Sequence, residues 1–125
     1  NNKIVSEKDA WIVFDNDEPF LAIGSPGGSR IITAVLQIIL NVVDFEQSLD
    51  EATDSKRVHH QWYPDDIDIE ETYNQINELI DLGYKIDIID TATCTQSIMI
   101  DDGDFIGVSD LRRPDSLALG VKNDW

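Results

Sequence analysis

The sequence has few of the residues that indicate a disulfide-bonded, metal-binding or membrane-embedded protein. A single cysteine, Cys94, excludes an internal disulfide and a cysteine-based zinc site, and we interpret it as a small buried residue. Basic residues are also scarce: 9 against 25 acidic residues give a net charge of −16. Nucleic acids and anionic membrane surfaces are bound through basic patches, so this charge argues against both as partners. The longest apolar run, residues 31–45, is interrupted by polar side chains and is shorter than the roughly 20 residues of a membrane span.

The acidic clusters and the histidines do not have the spacing of metal sites. Residues 15–18 and 101–104 lack the glycine and the distal glutamate of an EF-hand loop, so we interpret both as turns. His59 and His60 are adjacent, and neighbouring side chains of a strand point to opposite faces of the sheet. Because no third ligand is close in sequence, we interpret both as structural hydrogen-bonding residues and predict no metal site.

Patterns of apolar and polar residues predict a mixed order of strands and helices. Two apolar runs at 11–14 and 20–23 flank turn residues and predict a β-hairpin that is buried on both faces. Residues 1–10 are polar and are interpreted as a loop. The later part of the chain predicts strands at 67–70 and 84–88, a helix at 71–82 that ends at Gly83, a hairpin formed by 96–100 and 105–108, and an irregular tail from 111.

Residues 31–45 predict a long helix between these parts of the chain. The polar residues at 30, 33, 37, 41 and 44 fall on one narrow stripe, so we expect every other face of the helix to be covered. Ser48 followed by Glu51 is a capping-box pattern that predicts a short second helix. The resulting order, β-β-α-α-β-α-β-β-β, predicts one α/β (α+β) domain over residues 1–125 with a mostly antiparallel sheet.

Residues 24–30, Gly-Ser-Pro-Gly-Gly-Ser-Arg, mark the end of a strand, a tight turn and the start of the long helix. The first turn of a helix presents unpaired N–H groups and partial positive charge, which suit a negative oxygen. The turn lacks the Lys-Ser/Thr pair of a P-loop and the G-x-G-x-x-G spacing of a dinucleotide site. A site for a transient oxyanion is therefore one interpretation, and a plain strand-to-helix turn is the other.

Four motifs in order resemble one protein family. The Gly24–Ile31 segment, G-S-P-G-G-S-R-I, is similar to the glycine-pair motif in the small subunit of γ-glutamyltranspeptidases (glutathione hydrolases). The R-V-H-H-Q-W-Y-P-D run at 57–65 resembles that family's R-F-H-H-Q-W-L-P-D. The T-Q-S-I-M run at 95–99 and G-V-S-D at 107–110 resemble its closing segments. The resemblance covers roughly residues 11–120.

The resemblance implies a fold and a reaction. The fold is part of the four-layer αββα sandwich of N-terminal-nucleophile hydrolases. The family's precursor cuts itself into two subunits and exposes a threonine that attacks the γ-glutamyl amide of glutathione or another γ-glutamyl compound. The acyl group then passes to water or to an amino acid, with no metal or organic cofactor. The resemblance also implies a periplasmic or extracellular location.

The resemblance further assigns roles to residues of the glycine turn. Backbone N–H groups of Gly27 and Gly28 are implied as catalytic and substrate-binding donors to the oxyanion. Ser25 is implied as a further substrate-binding residue and, with Pro26, as one that shapes the turn. Arg30, by contrast, is interpreted as a structural ion-pairing residue rather than a substrate clamp.

The family's nucleophilic threonine, serine pair and substrate-gripping acidic residue are expected to precede this segment. We therefore expect the chain to be the C-terminal portion of the small subunit, inactive alone, with the rest of that subunit and the large subunit as partners. A relative that acts on γ-linked polyglutamate or a cephalosporin side chain is an alternative. A non-catalytic paralogue is another.

Overall fold

A computed structural model describes residues 3–7 and 10–120 of the chain, and its largest element is a five-stranded antiparallel sheet. The strand order in this main sheet is β1-β2-β3-β7-β8. Its strands are β1 (Lys3–Glu7), β2 (Ala10–Asp15), β3 (Glu18–Gly24), β7 (Gln96–Asp101) and β8 (Asp104–Ser109). The hairpins predicted from the apolar runs, β2–β3 and β7–β8, are confirmed and pair with each other through β3 and β7.

The prediction of a loop over residues 1–10 is wrong where the structure describes the chain. Lys3–Glu7 forms β1, the edge strand that pairs antiparallel with β2. The polar composition of this segment fits an edge strand, because one side of such a strand is not paired within the sheet. Residues 1–2 and 8–9 lie outside the described residues.

Helix α1 (Arg30–Val43) packs across one face of the main sheet and forms the core with it. Strand residues Val13, Leu21 and Ile23 contribute to this core because alternate side chains of β2 and β3 point toward the helix. The other core residues come from α1 and from the short helix α2 (Leu49–Asp54): Ile31, Val35, Ile38, Ile39, Leu49 and Ala52. Glu51 accepts a hydrogen bond from the N–H of Ser48, as the predicted capping box requires.

The polar stripe of α1 faces a second, three-stranded sheet. This sheet has the order β4-β5-β6, formed by β4 (Val58–His59), β5 (Ile67–Glu70) and β6 (Ile86–Ile89). The Gln37 side chain donates to the carbonyl of Val58 and accepts from its N–H, at 2.8 and 3.0 Å. Hydrogen bonds thus join the middle of this stripe to β4. The remaining apolar ridge of α1, by contrast, is not covered as predicted: Ile32, Leu36 and Leu40 are exposed among the described residues.

Helix α3 (Ile76–Asp81) is half as long as predicted. Thr72 adopts φ +67°, which is incompatible with a right-handed helix, so the chain makes turns until Gln75. Gly83, with φ +91°, follows the helix as predicted. Tyr73, Ile76 and Leu79 are only half-buried. The apolar face predicted for this helix is thus present but short.

The prediction that the β2–β3 hairpin is buried on both faces is wrong within the described chain. Val13 and Leu21 face α1, whereas Ile12 lies on the opposite face and is 41% exposed. No helix in residues 3–7 and 10–120 lies against that face. We call it the outer face of the main sheet, and its exposed apolar residues are Ile12, Ile98, Ile100 and Phe105.

The predicted fold class is confirmed. Helices and strands are mixed, and every described strand pair except β5–β6 is antiparallel. Among the described residues, no helix has both the length and the apolar character needed to cross a membrane.

Candidate functional site

The turn between β3 and α1 requires glycine at the first of its two paired glycine positions. Gly27 has φ +133°, a backbone conformation that residues with a side chain rarely adopt. A Cβ at this position would also lie 3.4 Å from the hydroxyl oxygen of Thr93. The backbone geometry explains this glycine, whereas a contact of 3.4 Å is close to an ordinary van der Waals distance.

Gly28 has no such structural explanation. A Cβ placed on Gly28 would meet no atom within 4 Å. Its carbonyl accepts a hydrogen bond from the N–H of Ile31 at 3.2 Å, in the first turn of α1. The space beside Gly28 is thus open within the described residues.

That open space belongs to a cavity of about 550 Å³ lined by Gly27 and Gly28. Its other walls come from the start of α1, from the segments next to β4 and β5, and from the loop before β7. Neither glycine N–H donates to another protein group within the described ranges. Because α1 is 14 residues long, its N-terminal end adds partial positive charge next to these two donors. The arrangement is chemically suited to stabilise a negative oxygen.

Ser25 occupies a different environment from the two glycines. It is buried, and its hydroxyl donates to the carbonyl of Cys94 at 2.7 Å and lies 2.9 Å from the hydroxyl of Thr93. It does not line the cavity. This geometry agrees with the predicted role of shaping the turn, while the predicted contact of Ser25 with substrate stays a prediction.

Arg30 forms an ion pair, as its interpretation as a structural residue predicts. Its Nε and Nη2 atoms donate to one carboxylate oxygen of Asp68, at 2.9 and 2.6 Å. Asp68 lies on β5, so this pair fixes the first turn of α1 to the second sheet. Both residues line the cavity, together with the carboxylates of Asp66 and Asp87.

The two histidines have separate surroundings, although only His59 lies in a strand, since β4 ends at that residue. His59 is buried, with Nδ1 2.7 Å from the Thr33 hydroxyl and Nε2 3.1 Å from the side-chain oxygen of Gln61. His60 is exposed and lies 3.2 Å from Asp65. No group of three or more potential metal ligands occurs among the described residues.

Four charged residues form a buried cluster behind the turn, which we call the charged quartet: Arg57, Glu70, Asp110 and Arg112. Arg57 donates to Asp110 at 2.8 Å. Arg112 donates through two nitrogens to Glu70, at 2.7 and 2.5 Å, and through a third to Asp110 at 3.2 Å. Arg57, Glu70 and Asp110 are each at most 1% exposed. Each charge thus has an oppositely charged partner, which is the condition under which charges are tolerated away from water, although Nε of Arg57 has no hydrogen-bond partner among the described residues.

Opposing effects set the pKa values of the two carboxyl groups in the quartet. Burial favours the neutral acid and acts to raise both pKa values. In Glu70, hydrogen bonds from Arg112 and from backbone N–H groups outweigh burial and hold the pKa below its ordinary value. In Asp110, the charge of Arg57 and further hydrogen bonds have the same result. Both groups are therefore carboxylates at neutral pH.

The sequence analysis did not identify Glu70 and Thr93 as residues of the candidate site and its surroundings. Glu70 is the last residue of the strand predicted at 67–70, and Thr93 lies in a loop that the sequence does not distinguish. Both residues contact positions that are 13 to 68 residues away in the sequence. A local sequence pattern therefore cannot predict these contacts. Cys94 is half-buried, and its carbonyl is the group that contacts the turn.

Comparison with known proteins relates the chain to one family. The family model described as gamma-glutamyltranspeptidase matches residues 2–120. The glutathione hydrolase proenzyme of Escherichia coli is 39% identical over 123 residues, which are 96% of this chain and 21% of that protein. The chain thus spans about a fifth of the length of this curated relative.

Solved structures give the same result for the fold. The γ-glutamyltranspeptidase of Pseudomonas nitroreducens superposes with a TM-score of 0.82 at 30% identity, over 98% of this chain and 64% of that chain. The enzyme of Helicobacter pylori superposes with a TM-score of 0.76 at 34% identity, over 90% of this chain and 62% of that chain. The N-terminal-nucleophile hydrolase fold expected from the resemblance is confirmed.

Proposed function

Because the chain belongs to the γ-glutamyltranspeptidase family, we propose that it is the C-terminal portion of the small subunit of a γ-glutamyltransferase or glutathione hydrolase. Its substrates are glutathione or other γ-glutamyl compounds. Its partners are the preceding part of the small subunit and the large subunit. By the same family relationship we propose a periplasmic or extracellular location and a reaction without metal or organic cofactor.

The proposed reaction is acyl transfer through a covalent intermediate. A threonine exposed by self-cleavage attacks the γ-glutamyl carbonyl, and its α-amino group takes the hydroxyl proton. The C–N bond breaks, the amine leaves with a proton, and a γ-glutamyl ester of the threonine remains. Water or an amino acid then takes the acyl group. The nucleophile lies outside this chain, so the chain alone is expected to be inactive.

The observation that carries the proposal is the pair of N–H groups at the cavity. In both steps the carbonyl oxygen gains negative charge, and donors oriented in advance stabilise that charge without reorganising. Gly27 and Gly28 line the cavity, and their N–H groups have no acceptor within the described residues. The N-terminal end of α1 adds partial positive charge at the same place.

The open space beside Gly28 supports the same role. Neither packing nor an unusual backbone angle requires glycine at this position in the described chain. Absence of a side chain would let a substrate carbonyl approach the N–H closely. Gly27 has a structural explanation as well, so Gly28 is the more informative position to change.

The test is γ-glutamyl-p-nitroanilide hydrolysis by the complete enzyme, with Gly28→Pro compared with Gly28→Ala. Proline removes the N–H, whereas alanine keeps it and adds a methyl group to open space. We expect Gly28→Pro to lower kcat about 100-fold or more, which is the usual effect of losing one oxyanion donor. Gly28→Ala should lose much less. The isolated 125-residue chain should show no turnover.

Three results would contradict parts of the proposal. Full activity of Gly28→Pro, in a cleaved and folded enzyme, would remove Gly28 from the site. If the isolated chain turned over substrate and heating abolished that turnover, the proposal that the nucleophile lies outside this chain would be refuted. An inactive but correctly cleaved parent enzyme would favour another substrate, such as γ-linked polyglutamate or a cephalosporin side chain, or a non-catalytic paralogue.

A further inference from the structure

The loop before β7, residues 92–95, is joined to the glycine turn by side-chain hydrogen bonds in both directions. The Thr93 hydroxyl donates to the carbonyl of Pro26 at 2.6 Å, and the Ser25 hydroxyl donates to the carbonyl of Cys94 at 2.7 Å. The two hydroxyl oxygens lie 2.9 Å apart. Each segment thus holds the backbone of the other. We call this arrangement the Ser25–Thr93 clasp.

The clasp acts on the peptide unit that carries one of the proposed oxyanion donors. The carbonyl of Pro26 and the N–H of Gly27 belong to the same planar peptide group, so fixing one fixes the direction of the other. Pro26 has no N–H of its own through which the turn could be held. Gly27 has the wide conformational freedom of a residue without Cβ, and its φ is +133°. Rotation of this peptide group would require breaking the Thr93 hydrogen bond.

The loop that holds the turn is itself anchored by the charged quartet. Arg57 donates to the carbonyl of Thr93 at 2.7 Å. Backbone N–H groups on either side, at positions 92 and 95, donate to Glu70 and Asp110, both at 2.9 Å. Hydrogen bonds to charged groups are stronger than those between neutral groups. The clasp therefore connects the turn to a rigid, buried part of the molecule.

We propose that Thr93 is a positioning residue that orients the Gly27 N–H toward the oxyanion through the Pro26–Gly27 peptide group. The inference rests on the proposed function, because it assumes that this N–H is an oxyanion donor. A misdirected donor weakens binding of the tetrahedral intermediate more than binding of the substrate. The loss should thus appear in kcat rather than in KM.

The experiment compares Thr93→Val, Thr93→Ser and Thr91→Val in the complete enzyme. Valine has the shape of threonine without the hydroxyl, whereas serine keeps the hydroxyl. Thr91 is exposed, lies two residues before Thr93 and makes no side-chain hydrogen bond within the described residues. With γ-glutamyl-p-nitroanilide as substrate, we expect Thr93→Val to lower kcat about tenfold and to change KM less than about twofold. Thr93→Ser and Thr91→Val should keep kcat near the wild-type value.

Amide hydrogen exchange of residues 24–30 measures the clasp without catalysis. We expect exchange in this segment to become about tenfold faster in Thr93→Val and to stay at the wild-type rate in Thr93→Ser and Thr91→Val. This measurement is valid even if the enzyme acts on another substrate, so it separates failure of the clasp from failure of the proposed function.

Each remaining outcome overturns the proposal. Unchanged exchange and unchanged kcat in Thr93→Val would show that the clasp does not hold the turn, whatever the result for Gly28→Pro. Equal losses in Thr93→Val and Thr93→Ser would show that the hydroxyl is not responsible. Faster exchange with unchanged kcat would show that the clasp orders the turn without serving catalysis.

Discussion

At the scale of single residues, the charged quartet places four paired charges in the interior of the molecule. Arg112 makes its shortest contacts with Glu70, and both side chains are largely removed from water. Removing one partner of such a pair leaves the other charge buried without compensation, which typically costs about 3–5 kcal/mol. A neutral side chain of the same shape therefore tests the pair directly.

We predict that Glu70→Gln lowers the free energy of unfolding by about 3 kcal/mol at pH 7. The ordinary carboxyl pKa of Glu is 4.5, and the pKa of Glu70 is lowered in the folded state. A lowered pKa contributes stability that is fully present above pH 4.5 and is lost as the pH falls through the folded-state value. The difference between wild type and variant should thus shrink below about pH 4.5.

Denaturant unfolding at a series of pH values measures this difference. Glu71→Gln is the matched control, because Glu71 is exposed and adjacent in sequence. The pairing of Glu70 with Arg112 would be contradicted if Glu70→Gln had the wild-type free energy of unfolding at pH 7. It would also be contradicted if the difference between the two proteins did not depend on pH.

At the scale of elements, Gln37 makes the contacts by which α1 binds the backbone of β4, beside the contact of Thr33 with His59. Gln37 pairs with both backbone groups of Val58, as a neighbouring strand would. We predict that Gln37→Ala lowers the free energy of unfolding by about 2 kcal/mol, because it leaves a partly buried N–H and carbonyl without partners. Denaturant unfolding of the variant measures this loss.

Asn41→Ala is the control for that prediction. Asn41 lies one turn further along the same stripe, and its side chain makes no hydrogen bond within the described residues. Alanine should be neutral or slightly stabilising there, since it has the higher helix propensity. Equal losses for both variants would mean that side-chain packing along the stripe, rather than the hydrogen bonds to Val58, sets the stability.

Elements with a clear local sequence pattern could be predicted from the sequence. The start of helix α3 and the edge strand β1 could not. The turns predicted at 15–18 and 101–104 are rich in acidic residues and have apolar runs on both sides, and the structure has both turns. Helix α3 begins late because Thr72 takes a left-handed conformation, which threonine rarely favours. Strand β1 was missed because a polar edge strand lacks the apolar alternation by which strands are recognised.

At the scale of the whole molecule, the glycine turn was identifiable from the sequence because its motif is local and resembles that of a family. The supports of the turn were not identifiable. Ser25 and Thr93 are 68 residues apart, and Arg57 and Asp110 are 53 apart, so only the fold brings each pair together. The expectation that α1 is covered on all apolar faces also failed within the described chain, since a sequence pattern shows which faces are apolar and not what lies against them.

Net charge and exposed apolar surface act against each other in this molecule. A charge of −16 keeps copies of the chain apart, while the outer face of the main sheet favours association. Because salt shortens the screening length from about 10 Å at 0.1 M to about 3 Å at 1 M, we predict that the 125-residue chain self-associates as salt is raised. Light scattering should show this for wild type and for Tyr63→Glu, whose exposed ring lies away from the sheet, but much less for Phe105→Glu on the outer face. Equal association of all three would exclude the outer face as the cause.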